Sequence, residues 1–129
     1  MVSFLHVFSG FSVDDLNAAK AFYGDTLGLT VIDNEDMGLK LQLPDGASIF
    51  VYEKPNHEPA SYTIMNLVVN DIDTAVAEMA SKGIVFEHYD MPGMEQDDKA
   101  IARGRAAGNG PDIAWFKDPA GNILSVLQN

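Results

Sequence analysis

Hydrophobic and polar positions alternate with a period of two from Val2 to Gly10, placing Phe4, His6 and Phe8 on one side and Leu5, Val7 and Ser9 on the other. That period predicts a strand covered on both faces. The spacing then lengthens. Leu16, Ala19, Phe22 or Tyr23, and Leu27 recur at helical intervals behind Asp14 or Asp15, either of which can accept the free amides of a first turn. Gly28 is a natural stop for that helix. Leu29 to Ile32, Leu39 to Leu43 and Ile49 to Glu53 are three further strand-like runs, so the order is β-α-β-β-β.

After the polar connector Pro55-Asn-His-Glu-Pro59 the order begins again. Thr63 to Val69 predicts a strand and Asp71 a helix cap. Ile72, Ala75, Val76, Met79 and Ala80 form an apolar stripe at helical spacing, closed by Lys82 and Gly83. Ile84 to His88 predicts a strand, and Asp90 to Asp112 a long irregular insertion. A β-hairpin ends the chain, with Ile113 to Lys117 and Ile123 to Leu127 joined by Asp118-Pro-Ala-Gly-Asn122.

The two halves match in detail. Val13-Asp-Asp-Leu16 corresponds to Val69-Asn-Asp-Ile72, and Pro44-Asp-Gly46 to Pro119-Ala-Gly121. Such a period indicates an internal duplication. The reading is one α+β domain over 1–129 with tandem βαβββ modules: module one 1–55, linker 56–61, module two 62–129, and an insertion at 90–112.

Composition narrows the function classes. Nineteen acidic against eight basic residues give a net charge of −11, which argues against nucleic acid and anionic membranes as partners. No cysteine is present, excluding disulfides, thiolate metal sites and a Cys nucleophile. No apolar run reaches the roughly 20 residues that span a bilayer, and no signal-peptide pattern opens the chain, so a cytoplasmic location is expected. Gly104-x₃-Gly108-x-Gly110 lacks the Lys-Ser/Thr ending of a phosphate loop and no helix clearly follows it, and His57-Glu58 lacks the second His of a zinc-protease helix.

Paired modules with Asp15-Leu-x₅-Phe22-Tyr-x₄-Gly28-Leu and Asp118-Pro-x-Gly121-Asn resemble the vicinal oxygen chelate superfamily, which includes glyoxalase I, bleomycin-resistance proteins, extradiol dioxygenases and fosfomycin-resistance enzymes. The resemblance implies two curved sheets enclosing a cleft, helices on the outer face, and often a homodimer. In its enzymes, four side chains from the first and last strands of each module hold a divalent metal. Those positions fall here on Phe8, Phe50, Ile64 and Ser125. Three have no donor and a neutral Ser hydroxyl is a poor ligand. The implied reading is therefore no metal site of the usual kind and no cofactor.

Strand alternation brings Phe4, His6, Ser48, Tyr52, Asn66, Val68, Ile123 and Leu127 to the faces of those four positions. Candidate ligand-binding residues are His6, Phe8, Phe50, Tyr52, Ile64, Asn66, Trp115 and Ser125, a set suited to an organic, aromatic molecule. His6 is the candidate for proton transfer. His6 with Glu53 or Glu87 is the alternative metal site. Trp115, the sole tryptophan, fits a stacking platform or the core equally. Arg103 and Arg105 bring positive charge to the insertion, which is placed to act as a lid over a bound anion. The leading expectation is a metal-free small-molecule binder. A lyase, isomerase or dioxygenase with unusual or no metal, and a non-catalytic regulatory module whose cup is filled by side chains, stand as alternatives.

Overall fold

The computed structural model describes residues 1–129 as two compact units, Met1–Pro59 and Ala60–Asn129. Each unit is a four-stranded mixed sheet with one principal helical segment.

In the first unit, β1 (Ser9–Val13) leads into α1 (Leu16–Lys20), which widens into a π-helical stretch over Ala21–Thr26. β2 (Thr30–Asp33), β3 (Leu39–Gln42) and β4 (Ser48–Glu53) follow. The sheet order is β1-β4-β3-β2, with β1 parallel to β4 and the other pairs antiparallel. Asp15 caps α1 by accepting the Ala18 N–H at 3.0 Å. One face carries Val13, Leu39, Leu41 and Val51, all buried, as are Ala19 and Tyr23 of the helical segment. The other carries Phe50, Tyr52, Ser48 and Lys40, which are half-buried or exposed.

The expected first strand, Val2 to Gly10, is displaced toward the C-terminus. Its ladder runs only from Ser9 opposite Ile49 to Val13 opposite Glu53. The partner strand begins at Ser48, after the turn that closes Leu43 on Ala47, so the register leaves no β4 residue to pair with residues before Phe8. Period two in the sequence reports a chain suited to a strand. It does not report where the partner stops.

In the second unit, β5 (Thr63–Val68) leads to α2 (Ile72–Ser81), capped by Asp71. Next come β6 (Ala102–Arg103), the short α3 (Gly104–Ala107), β7 (Asp112–Lys117) and β8 (Ile123–Gln128). The order β5-β8-β7-β6 repeats that of the first unit, with β5 parallel to β8. Met65, Leu124, Val126, Ala114 and Phe116 are buried with Ile72 and Val76 of α2, which lies against β7 and β8.

Two expectations are corrected here. Ile84 to His88 contributes a single bridge, Phe86 to Phe116, and β6 pairs with the far end of the same β7 edge. The insertion is not irregular throughout, since it supplies β6 and α3, and that helix starts at the first glycine of the 104–110 run. Glycine is required at this start. A Cβ on Gly104 would stand 2.5 Å from the Pro111 carbonyl oxygen.

Candidate functional site

Strand pairing in the second unit sets Trp115, Ser125 and Asn66 side by side across β7, β8 and β5. They share the face opposite the α2-covered core. Between Thr63 and Met65 the β5–β8 register slips, so Ile64 is the extra residue of a bulge and Asn66 is the one opposite Ser125. Ser125 is fully buried, and its hydroxyl donates to Asn66 Oδ1 at 2.5 Å.

Trp115 is held on three counts. It is 9% exposed, its indole N–H donates to Thr63 Oγ1 at 3.2 Å, and its ring meets the edge of Tyr89 at 5.7 Å. Its exposed flank forms part of a cavity of about 510 Å³, with Met94, Ala102, Ala107, Pro111 and Ile113. This volume lies in the range of small-molecule sites. Glu95, Arg103 and Asn109 supply polar groups to the same lining.

The insertion builds the far wall of this cavity, and Arg103 pins it. Its guanidinium donates to both Asp73 oxygens, at 2.7 and 3.1 Å, and through Nε to Asp97 at 3.0 Å. A two-pronged pairing of this kind fixes orientation as well as charge. Asp97 in turn accepts the Lys99 and Ile101 N–H groups, closing a tight turn. Gln96 donates to the Glu87 and Ala100 carbonyls and accepts the Tyr89 N–H. Arg105 lies 3.6 Å from the buried Asp112 carboxylate. The positive charge of both arginines is thus met by carboxylates of the same unit.

These pairings show in proton affinities. The hydrogen bond from Arg103 is the main cause holding the Asp73 carboxyl below the usual carboxylate range. Burial pushes Asp97 up, but hydrogen bonds from Ile101 and Arg103 outweigh it and leave its carboxyl low as well. Burial, with Glu87 as a lesser cause, pushes the Tyr89 phenol up, and its hydroxyl is enclosed without a hydrogen-bond partner.

The remaining predicted residues lie in the first unit. His6, Phe8 and Phe50 line a smaller cavity of about 240 Å³ with Asn34, Lys40 and Ser48. Tyr52 stacks on Phe50 at 5.9 Å, and the His6 and Phe8 rings meet at a tilt of 30° at 5.8 Å. Glu53, a candidate partner of His6 in the alternative metal site, is exposed and accepts the Leu16 N–H at 3.0 Å. Sequence reading missed the pairing of Ser12 with His57 Nδ1 at 2.6 Å, which ties the connector back to β1. It also missed Gln96 and Asp97, whose partners lie within the insertion and carry no motif.

At the four positions where the resemblance implies a metal, the residues do not fit one. Phe8, Phe50 and Ile64 offer no donor atom, and the Ser125 hydroxyl is committed to Asn66. No group of three or more His, Asp or Glu residues is arranged to hold an ion elsewhere in the chain.

Comparisons with known proteins agree with the fold. A model of the glyoxalase/bleomycin resistance protein/dioxygenase superfamily matches residues 3–126. No curated protein sequence matches. Among solved structures, TnmS3, an antibiotic binding protein from Streptomyces sp. CB03234, is 25% identical, with a TM-score of 0.62 over 96% of each chain. A superfamily member from Sphaerobacter thermophilus is 20% identical, with a TM-score of 0.65 over 97% of this chain and 98% of the other. A glyoxalase/dioxygenase from Nostoc punctiforme is 16% identical, with a TM-score of 0.64 over 100% and 99%.

Proposed function

The chain belongs to the glyoxalase/bleomycin resistance protein/dioxygenase superfamily, and we propose that it binds a small aromatic molecule against Trp115 without the metal chemistry of the superfamily's enzymes. The observation that carries this reading is the Trp115 cavity. An indole locked by Thr63 and Tyr89 forms one wall, and Met94, Ala102, Ala107, Pro111 and Ile113 add apolar surface. A rigid aromatic wall can stack a planar ligand at small entropic cost. The Ser125 and Asn66 positions, bonded to each other, support binding over metal-assisted turnover. The antibiotic-binding neighbour TnmS3 supports the same class of ligand.

Titration with a panel of polycyclic and heteroaromatic compounds tests this, with Trp115 emission and thermal midpoint as readouts. At least one compound is expected to quench the emission and raise the midpoint, and Trp115→Leu to weaken that compound's binding measured calorimetrically. Silence in both readouts across the panel would sink the proposal.

The same reading includes a homodimer. Val2, Phe4, Leu5, Val7 and Phe8 are between 60% and 101% exposed in the single chain, an apolar run that a partner would cover. Sedimentation should give twice the 14.0 kDa chain mass, and a monomer at all concentrations would remove this part.

A further inference from the structure

One asparagine–glycine pair stands apart from the rest of the chain. Asn109-Gly110 follows α3, between the left-handed end of that helix at Gly108 (φ +70°) and Pro111. Every other internal asparagine precedes a residue with a Cβ, which shields the next amide nitrogen from the asparagine side chain. Gly110 carries no such shield, and its φ of +115° is a conformation that favours glycine. Asn109 is exposed, and its backbone N–H donates to the Gly104 carbonyl at 2.9 Å. Its side-chain amide and the Gly110 N–H are held by no other group. The nucleophile and the electrophile of a ring closure are thus adjacent and free to approach.

We propose that Asn109 is a deamidation site whose conversion remodels the wall of the Trp115 cavity. Solvent hydroxide takes the Gly110 amide proton, and the nitrogen attacks Asn109 Cγ. The new N–Cγ bond forms, the Cγ–Nδ2 bond breaks, and ammonia leaves with a proton returned by water. The resulting succinimide is opened by water at either ring carbonyl. Attack at Cγ leaves an aspartyl residue, and attack at the backbone carbon an isoaspartyl one, whose main chain runs through the former side chain. One water is consumed and one ammonia released, with no oxidant or cofactor.

Both products place a new carboxylate in the lining that Asn109 shares with Glu95 and Arg103. The isoaspartyl product also adds one methylene to the main chain, and that chain has no slack. The Gly110 and Pro111 carbonyl oxygens stand so close over Gly104 that a Cβ there would lie 3.1 and 2.5 Å from them. Immediately beyond, the buried Asp112 accepts the Arg105 N–H at 3.1 Å and begins β7, which carries Trp115. A lengthened link therefore pushes on α3 at one end and on the tryptophan's strand at the other. The site holds whichever molecule the cavity takes.

Incubation of the full chain at mildly alkaline pH in heavy-oxygen water, followed by peptide mass mapping, tests the proposal. Asn109 is expected to lose ammonia and gain a labelled oxygen at least tenfold faster than any other asparagine, and more slowly as pH falls. Asn109→Gln, which would have to close a larger ring, should stay unmodified at that position. The isoaspartyl form can be separated by ion exchange and identified with an isoaspartyl methyltransferase. Its Trp115 emission should depart from wild type further than that of Asn109→Asp, which has the charge without the methylene. Conversion of Asn109 no faster than that of the other asparagines would overturn the site. An isoaspartyl form with the same emission as Asn109→Asp would overturn the effect on the cavity wall.

Discussion

Ser125 donates its hydroxyl proton to Asn66 Oδ1 at 2.5 Å across the parallel β5–β8 pair, and Ser125 is fully buried. This bond lies at one of the four positions where the resemblance implies a metal ligand, and it uses up the hydroxyl's proton. Chelator treatment should accordingly leave the thermal midpoint and any aromatic-ligand titration unchanged, and stoichiometric Zn²⁺ should add no stability. A midpoint that falls on chelation would show that some other donor set holds an ion.

Ser125→Ala removes the donor, and water can take its place at the exposed Asn66 Oδ1. The loss is then the net worth of one hydrogen bond, about 1 kcal/mol. Denaturant unfolding should show a lower midpoint with an unchanged slope, since the surface exposed on unfolding is the same.

Gly38 is the tightest backbone approach in the first unit. Its φ is +135°, and a Cβ there would collide with the Val51 carbonyl oxygen and stand 3.0 Å from the Phe50 ring. The Val51 carbonyl is β4 backbone and cannot give way without disturbing the ladder, whereas the Phe50 ring can swing aside. Gly38→Ala should destabilise the protein by about 2 kcal/mol or more. The Phe50 ring is pushed aside as well, so backbone NMR shifts should spread into the cavity it lines with His6 and Phe8.

Acid should open the insertion before it unfolds the core. The carboxyls of Asp73 and Asp97 are lower in the folded chain than when unfolded. Their contribution is thus fully present above the unfolded value of about 4 and is lost as pH falls through the depressed folded values. From pH 8 to about 5 these groups should leave stability flat. Below about 4, Trp115 emission should change as the Arg103 pairings weaken. Arg103→Met should lack that acid step and show the altered emission already at neutral pH.

How much of this was legible in the chain varies with the distance over which each feature is set. The helix caps Asp15 and Asp71 and the Pro44 and Pro119 turns are local chemistry, and they revealed the duplication and the fold. The end of β1 was not legible, because it depends on where β4 starts some forty residues later. The bulge at Ile64 leaves no compositional mark, yet it makes Asn66 the partner of Ser125. Arg103 read as a charge free to meet an anion, since Asp73 lies thirty residues away in another element. Trp115 could not be given a face until the β7–β8 register fixed it.

The duplication extends to a contact that neither half announces alone. Glu53 Oε1 accepts the Leu16 N–H at 3.0 Å, and Gln128 Oε1 accepts the Ile72 N–H at 3.0 Å. In both units the last residue of the fourth strand satisfies the first free amide of the helix, while the aspartate caps Asp15 and Asp71 satisfy later ones. One position is an acid and the other an amide, so the shared requirement is an acceptor oxygen at that reach, not a charge. Glu53→Gln and Gln128→Glu should therefore be tolerated within a few tenths of a kcal/mol. Glu53→Ala and Gln128→Ala should each cost about 1 kcal/mol, because the helix amide then has no partner. Thermal melts of the four variants decide it: a charge role at Glu53 would instead make Glu53→Gln as costly as Glu53→Ala.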